Sequence, residues 1–390
     1  MKILMLLEND YEKDLRVKRE VQALHEAGFE VTVAAISHDK DFPPEKRENC
    51  ILYKKKIPSL IYKSSAGALK FPFYFNFWRR YISEITRDDP ADIIHVNDLP
   101  LSRVGVELKR QEQIKLVLDL HENWPGLLRN AQHTRTLAGR LVSSDRQWVK
   151  YEKEMLQEAD LVITVVEEAR DRVAALMDAP EKICIVSNTI DTESIAFFER
   201  KKNKDFTLFY GGAINKHRGL QIVTEAVKIL KDKNILISLQ IAGTGSYQKA
   251  LEKEIEKNDL SSRIVFHGFK PLNNMLEMLS HADAAIIPHL RNDNNDATIP
   301  NKLFQYMFTA TPVVSSDCIP LKRIILETGA GYIYRHDSPS ELASLLEQLC
   351  HNRDLPDEKG KKGREAVLAR YNWNYDRKQL VDAYKKLTLI

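Results

Sequence analysis

The chain opens on a short apolar run, Ile3 to Leu7, an amphipathic stretch, Asp14 to Ala27, and a β-branched run, Glu30 to Ile36. In the middle stretch Leu15, Val17, Val21 and Leu24 recur among charges, and Gly28 closes it. Strand, helix and strand in that order require a crossover, so the strands are parallel. A parallel sheet is covered by helices on both faces, which leaves the carboxyl ends of its strands for ligands. Further strand-like runs follow at Ala91 to Val96, Lys115 to Leu120, Leu161 to Val166 and Ile183 to Val186. After a charged stretch without periodicity, Phe197 to Asp205, the alternation resumes at Phe206 to Tyr210, Leu236 to Ile241, Ile264 to Gly268 and Ala284 to Pro288. The expected fold class is α/β with two Rossmann-like parallel-sheet domains, since 390 residues exceed what one core sustains. The expected boundaries are 1–198 and 205–372, with an amphipathic helix over 373–390 returning to the first domain.

Composition narrows the function classes. A net charge of +3 is too small for a protein held to nucleic acid by phosphate neutralisation, so no nucleic-acid partner is expected. The four cysteines, Cys50, Cys184, Cys318 and Cys350, are widely spaced, which suggests neither zinc ligation nor a disulfide framework and suits a cytoplasmic setting. The apolar run before Glu8 is too short for a signal-peptide core, and no run approaches a membrane span. Lys54 to Arg80 holds seven Lys or Arg, no acidic residue, and seven aromatics: Tyr62, Phe71, Phe73, Tyr74, Phe75, Phe77 and Trp78. That mixture suits docking at an anionic membrane surface, and equally a core helix with a basic rim.

The segment from Asp296 to Asp317 joins a helix start, a helix and a buried strand. Thr298 is placed as an N-cap and Pro300 in the first turn, with Asn301 and Lys302 beside them. Free N–H groups, the helix dipole and the Lys302 charge together can hold a phosphate without metal. Residues just past strands are the other site candidates: Asn97 and Asp98, His121 and Glu122, Gly212 with Lys216 and Arg218, and Phe269. The G-T-G at Gly243 to Gly245 lacks its third glycine, because Gln248 stands there, so dinucleotide binding is not expected. Asn292 to Asp296 is oxygen-rich but lacks the glycine and distal glutamate of a calcium loop, and reads as a mobile loop.

P-N-K-L-F-Q-Y-M followed by T-P-V-V-S-S-D, D-L-R-V at Asp14 to Val17, D-L-H-E-N-W-P around His121 and S-N-T-I-D at Ser187 to Asp191 resemble the family-four retaining glycosyltransferases. The first helix is similar to the subgroup with an Asp-x-Arg-Val there. The resemblance implies the GT-B fold, two Rossmann-like domains facing a central cleft, and a nucleoside-diphosphate sugar of UDP or GDP type as substrate, with no cofactor or metal. It implies that Gly212, Lys216, Arg218, Thr298, Asn301 and Lys302 hold the donor diphosphate, that Gln305 and Phe269 meet ribose and base, and that His121 orients the sugar. Asp14, Arg16, Asn97, Asp98 and Glu122 fall on the acceptor side, facing a glycan or lipid-linked acceptor of a bacterial surface polysaccharide. The enzyme so implied is cytoplasmic and peripheral at the inner face of the cell membrane.

The chain departs from the family at three places: Ala213 stands where the first phosphate arginine would be, and Ala297 and Gln305 stand where two glutamates would be. A non-catalytic nucleotide-sugar-binding or transferase-partner protein, and a sugar-nucleotide 2-epimerase, are the competing readings.

Overall fold

The computed structural model describes residues 1–130, 143–201, 203–353 and 355–389. The chain divides into two units, Met1–Ser187 with Asp376–Ile390, and Asn188–Tyr375. Both are layered α/β units.

In the first unit the strands are β1 (Lys2–Leu7), β2 (Glu30–Ser37), β3 (Phe42–Lys46), β4 (Ile51–Lys56), β5 (Ile93–Asn97), β6 (Lys115–Leu120), β7 (Leu161–Thr164) and β8 (Ile183–Ile185). They form one sheet in the order β3-β4-β2-β1-β5-β6-β7-β8, parallel throughout except for β3 against β4. The central strands β1, β5 and β6 are apolar on both faces because helices cover both, and Ile3 to Leu7 are at most 3% exposed. The first helix, Leu15–Glu26, starts where the Asp14 carboxylate accepts the N–H groups of Arg16 and Val17, each at 3.1 Å. It stops at Gly28, whose φ of +91° lets the chain turn back into β2.

The order matters because the chain starts in the middle of the sheet. Connections leave β1 toward β2 on one side and enter β5 on the other, so the covering helices part above the carboxyl ends of β1 and β5. The β3–β4 extension was not expected from sequence. Its strand Phe42–Lys46 carries Pro43 and Pro44, which remove N–H donors, and it is exposed throughout as an edge strand can be.

The second unit holds β9 (Phe206–Gly211), β10 (Ile237–Ala242), β11 (Ile264–Phe266), β12 (Ala284–Ile287), β13 (Val313–Ser316) and β14 (Gly331–Tyr334) in the all-parallel order β11-β10-β9-β12-β13-β14. Here the order reverses between β9 and β12. The segment expected to be a linker, 197–205, belongs to this unit, and the division falls at Ser187 and Asn188 instead. Arg200 donates to the carbonyls of Ala310 and Ala282, both at 3.0 Å, and Arg353 to those of Lys204 and Asn203 at 2.7 and 2.8 Å. Side-chain bonds to carbonyls hold a segment that has no hydrophobic period of its own.

The terminal helix Trp373–Thr388 joins the first unit from Asp376 onward. Its Leu380 and Tyr384 are fully buried.

The aromatic segment resolves into two parts. On the helix Phe73–Asp88, Tyr74, Phe75, Phe77, Trp78 and Tyr81 enter the core, as the core-helix reading required. Its charges are partly neutralised as well, since Arg79 pairs with Glu107 at 2.7 Å and Lys55 pairs with Glu84. Leu60, Phe71 and Phe73 stay exposed, at 84%, 47% and 59%, among exposed Lys56, Lys63 and Lys70. Replacing Trp78 by Ala should therefore cost about 3–5 kcal/mol, whereas Phe73→Ala should cost within about 0.5 kcal/mol. Urea denaturation of both variants measures this, and equal losses would reject the division.

Candidate functional site

The carboxyl edge of the first sheet is built around Asp119, a charged residue inside the buried strand β6. It is fully buried and is met by the Arg16 guanidinium, whose NH2 lies 3.1 Å from both carboxylate oxygens. The same guanidinium reaches Glu20 Oε1 at 2.9 Å through Nε and donates to the carbonyls of Val186 and Ser187 at 2.9 and 3.4 Å. Arg16 and Asp14 were expected to meet the acceptor. Instead Asp14 caps its helix and Arg16 is turned inward with its donors engaged, so the structure gives both a folding role.

His121 completes the network. Its Nε2 is 2.9 Å from Asp119 Oδ2, its Nδ1 is 3.6 Å from Asp98 Oδ2, and its N–H donates to Asp98 Oδ1 at 3.0 Å. Burial works against the ring's charge, but Asp119 and Asp98 outweigh it and push the pKa up to about 10. An imidazolium donates hydrogen bonds and cannot act as a base. Burial pulls the Asp119 carboxyl the other way too, yet Arg16 and His121 hold it well below the usual carboxylate range. Burial raises Glu20 to about 8 against the pull of Arg16, and lowers His95 to about 4. Asn97 donates from Nδ2 to the Leu6 carbonyl at 3.0 Å, while its Oδ1 is buried without a partner. Glu122 is exposed.

Glu20, His95 and Asp119 bring ligand atoms within 4.8 Å of one another, a spacing a metal ion could use. The Arg16 guanidinium already lies against two of the three, and all three are sealed from solvent, so the positive charge there is supplied by the chain itself.

In the second unit the site forms where the sheet order reverses. β9 runs into Gly211 and Gly212, and β12 into Pro288 and His289. Lys302 begins the helix Lys302–Phe308, and its Nζ lies 4.1 Å from the centre of the Tyr210 ring, shut off from solvent and without a hydrogen-bond partner. Burial and then the neighbouring Arg218 charge push its pKa well below the ordinary value. Arg218 NH1 is 3.0 Å from Nε2 of His289, a ring that burial, then Arg218 and Lys302, keep neutral. Asn301 Oδ1 is also buried and unbonded.

Gly212 serves this cluster by what it lacks. Its φ is +137°, and a Cβ there would sit 2.6 Å from the Lys302 Nζ. Its N–H donates to the Ala242 carbonyl at 2.8 Å, so it is not free to meet a phosphate as expected. Thr298 is likewise corrected: its hydroxyl donates to the Asn294 carbonyl at 3.1 Å and caps nothing, and the helix begins two positions past Pro300 and is only seven residues long. Lys216 is exposed, Gln305 is half-buried, and Phe269 is 78% exposed after Gly268. Asn292 to Asp296 forms a turn in which Asn292 Oδ1 accepts the N–H groups of Asn294 and Asn295 at 3.0 and 2.9 Å.

Sequence reasoning thus passed over Glu20, His95 and Asp119 in the first unit and Tyr210 and His289 in the second. The usable signals were a histidine and an aspartate inside buried strand runs, and a histidine directly after a strand.

Two family models divide the chain between them: "Glycosyltransferase Family 4" matches residues 16–194 and "Glycosyl transferases group 1" matches residues 191–366. The chain is a glycosyltransferase of the family-four type. WcaL of Salmonella typhimurium, a glycosyltransferase assigned to colanic acid biosynthesis, is 21% identical over 373 residues, 93% of this chain and 89% of that one. A sucrose-phosphate synthase from Thermosynechococcus elongatus superposes with a TM-score of 0.80 at 16% identity, covering 100% of this chain and 99% of the other. Anabaena HepE, solved in complex with UDP, superposes with a TM-score of 0.72 at 14% identity over 99% and 100% of the two chains. These likenesses show the GT-B fold.

The transferase's buried network makes its stability depend on pH in a definite direction. Glu20 and His121 both hold protons in the folded state that the unfolded chain releases near its ordinary pKa values. Between those values and about 8 for Glu20, or about 10 for His121, the folded state binds more protons, so stability falls as pH rises. Below about 6.5 the depressed pKa of His95 opposes this. Urea midpoints should fall from about pH 7 to about pH 9.5; above about pH 8 the thiols of Cys184, Cys318 and Cys350, whose pKa burial raises, add to the proton linkage, and His121→Gln should lower that linkage by about one proton. A variant with the same pH slope as the parent would rule out His121 as its source.

Proposed function

We propose that the chain transfers a sugar, with retention of anomeric configuration, from a nucleoside-diphosphate sugar to a glycan or lipid-linked acceptor in bacterial surface polysaccharide synthesis. The observation that carries this reading is the unpaired Lys302 ammonium beside Arg218 at the point where the second sheet reverses. A buried cation without a counter-ion is costly, and an anion that enters relieves the cost. A diphosphate fits, and its charge is met by Lys302 and Arg218 without a divalent cation, so activity should persist in EDTA. The UDP complex of HepE favours uridine as the base, and the name of WcaL favours a step in polysaccharide biosynthesis. The Asp-x-Arg-Val motif at the first helix supports a reading of the chain as one of the subgroup that carries it.

Such a transfer needs no protein base if the departing phosphate oxygen takes the acceptor's proton. His121, protonated at neutral pH, is then a donor that orients and polarises sugar oxygens. His121→Ala should lower turnover about 100-fold, the size of one lost transition-state donor, and change nucleotide affinity little. Equal turnover would remove His121 from the mechanism.

UDP, GDP, ADP and CMP should be compared by thermal shift. A nucleotide at about 100 times its dissociation constant adds roughly 2.7 kcal/mol of stability, and Lys302→Ala should abolish the shift. If no nucleotide shifts the folded protein, the departures at Ala213, Ala297 and Gln305 favour the non-catalytic reading.

Leu60, Phe71 and Phe73 with Lys56, Lys63 and Lys70 are proposed to rest on anionic lipid at the inner face of the cell membrane. Among the described residues no helix is long and apolar enough to cross a membrane. Sedimentation with vesicles rich in phosphatidylglycerol should capture the protein at low salt and lose the Phe71→Ser, Phe73→Ser double variant. Equal capture of both would reject this surface.

A further inference from the structure

The Arg16 guanidinium joins parts of the first unit that are far apart in the chain. It starts from the second residue of the helix Leu15–Glu26. Its NH2 group lies 3.1 Å from both oxygens of Asp119 on β6, and its NH1 group donates to the carbonyls of Val186 and Ser187, just past β8, at 2.9 and 3.4 Å. Nε is 2.9 Å from Glu20 Oε1, and the side chain is 8% exposed. Ser187 is the last residue before the chain leaves this unit. Asp376, the first residue after it returns, is buried and adds to the negative charge that the guanidinium meets. A planar fork with five donors in fixed directions can serve all these partners at once, whereas an ammonium, a point charge, cannot hold them in register.

Glu20 and Asp119 are fully buried. Taking such charges out of water is costly, and a network of this kind adds little net stability over apolar side chains of the same volume. What apolar side chains cannot do is hold a charged ring in one orientation. The torsion that turns a carboxylate plane is broad, so the backbone of β6 alone does not fix where the Asp119 oxygens point. The guanidinium fixes them by taking both, and Oδ2 then faces His121 Nε2 at 2.9 Å. The Nε2 of His95, 3.8 Å from the same oxygen, is too distant to compete, and the Nδ1 of that ring is taken by the Tyr384 hydroxyl.

We propose that Arg16 is a positioning residue for sugar transfer: through Asp119 it fixes the ring of His121, and through the Val186 and Ser187 carbonyls it ties that ring to the point where the chain leaves the first unit. This rests on the transferase reading, in which His121 orients and polarises sugar oxygens. Arg16 itself meets no substrate, because its donors are spent on the protein. Its effect on the reaction passes through Asp119 to His121 and disappears when the imidazole is absent.

Two measurements on the full chain test this. The first needs no turnover. A ring proton shared with Asp119 and shielded from water exchanges slowly, so proton NMR of the parent at neutral pH should show a downfield ring N–H resonance that His121→Ala removes. Arg16→Lys, which keeps the charge and loses the fork, should broaden that resonance beyond detection. The second measurement is release of UDP from UDP-glucose. Arg16→Lys should lower turnover about 10–100-fold, the size of a catalytic group misplaced by about an ångström, and leave KM within about two-fold. In the His121→Ala background the same substitution should cost nothing further, whereas a merely structural role would make the two losses multiply. Arg16→Met combined with Glu20→Leu exchanges the ion pair for apolar volume; it should melt as cooperatively as the parent and still lose the resonance and the turnover. That variant carries both readouts if Arg16→Lys fails to fold. Multiplying losses, or a ring resonance that is unchanged in Arg16→Lys or missing from the parent, overturn the proposal. A parent that releases no UDP counts against the transferase reading instead, and the ring resonance then decides for Arg16 alone.

Discussion

A parallel sheet must be covered on both faces, and a chain that begins in the middle of such a sheet leaves one gap in the cover. Each unit has one such gap. In the first it lies between β1 and β5, and in the second between β9 and β12. Most of the side chains with chemical potential stand near these gaps: Glu8, Asp98 and His121 in one unit, Gly212, His289, Lys302 and Arg218 in the other. Topology decides where a ligand can enter, and the residues past the strand ends decide which ligand.

The two units handle buried charge in opposite ways. Around Asp119 the chain supplies its own counter-charges, Arg16 and His121, and the network closes on itself. Around Lys302 it supplies a second cation and a neutral ring, and the ammonium is left with only the face of Tyr210. The first arrangement rigidifies the strand ends and fixes the protonation state of His121. The second costs stability when empty, which is the usual signature of a site whose missing partner arrives from outside.

Much of the fold was legible because strands buried on both faces must be apolar runs, and Lys115 to Leu120 was read to the residue. The antiparallel extension at Phe42–Lys46 was hidden because an exposed edge strand needs no apolar pattern. Site residues were legible only by position after a strand, as with Asp98, His121 and Gly212. Their roles were not, because partners distant in sequence set them. Asp14 and Arg16 read as acceptor-side residues until Asp119, more than a hundred residues on, drew the guanidinium inward. Thr298 has the chemistry of an N-cap, but the Asn294 carbonyl competes for its hydroxyl and wins. Ion pairs and caps are decided by tertiary geometry, which a local pattern does not contain.

The His95 ring, in the central strand β5, is 2.5 Å through Nδ1 from the hydroxyl of Tyr384, and Phe29 meets the Tyr384 ring edge-on at 5.7 Å. The middle of the first unit is therefore completed by a residue near the end of the chain. During synthesis the intervening unit, Asn188–Tyr375, must be translated first. At about 5–20 residues per second that interval lasts on the order of 10–40 seconds. Throughout it the nascent first unit has its sheet but lacks Leu380 and Tyr384, and carries an uncovered apolar face. A chaperone that binds such faces has its natural window there, and a chain truncated before Leu380 would leave the window permanently open.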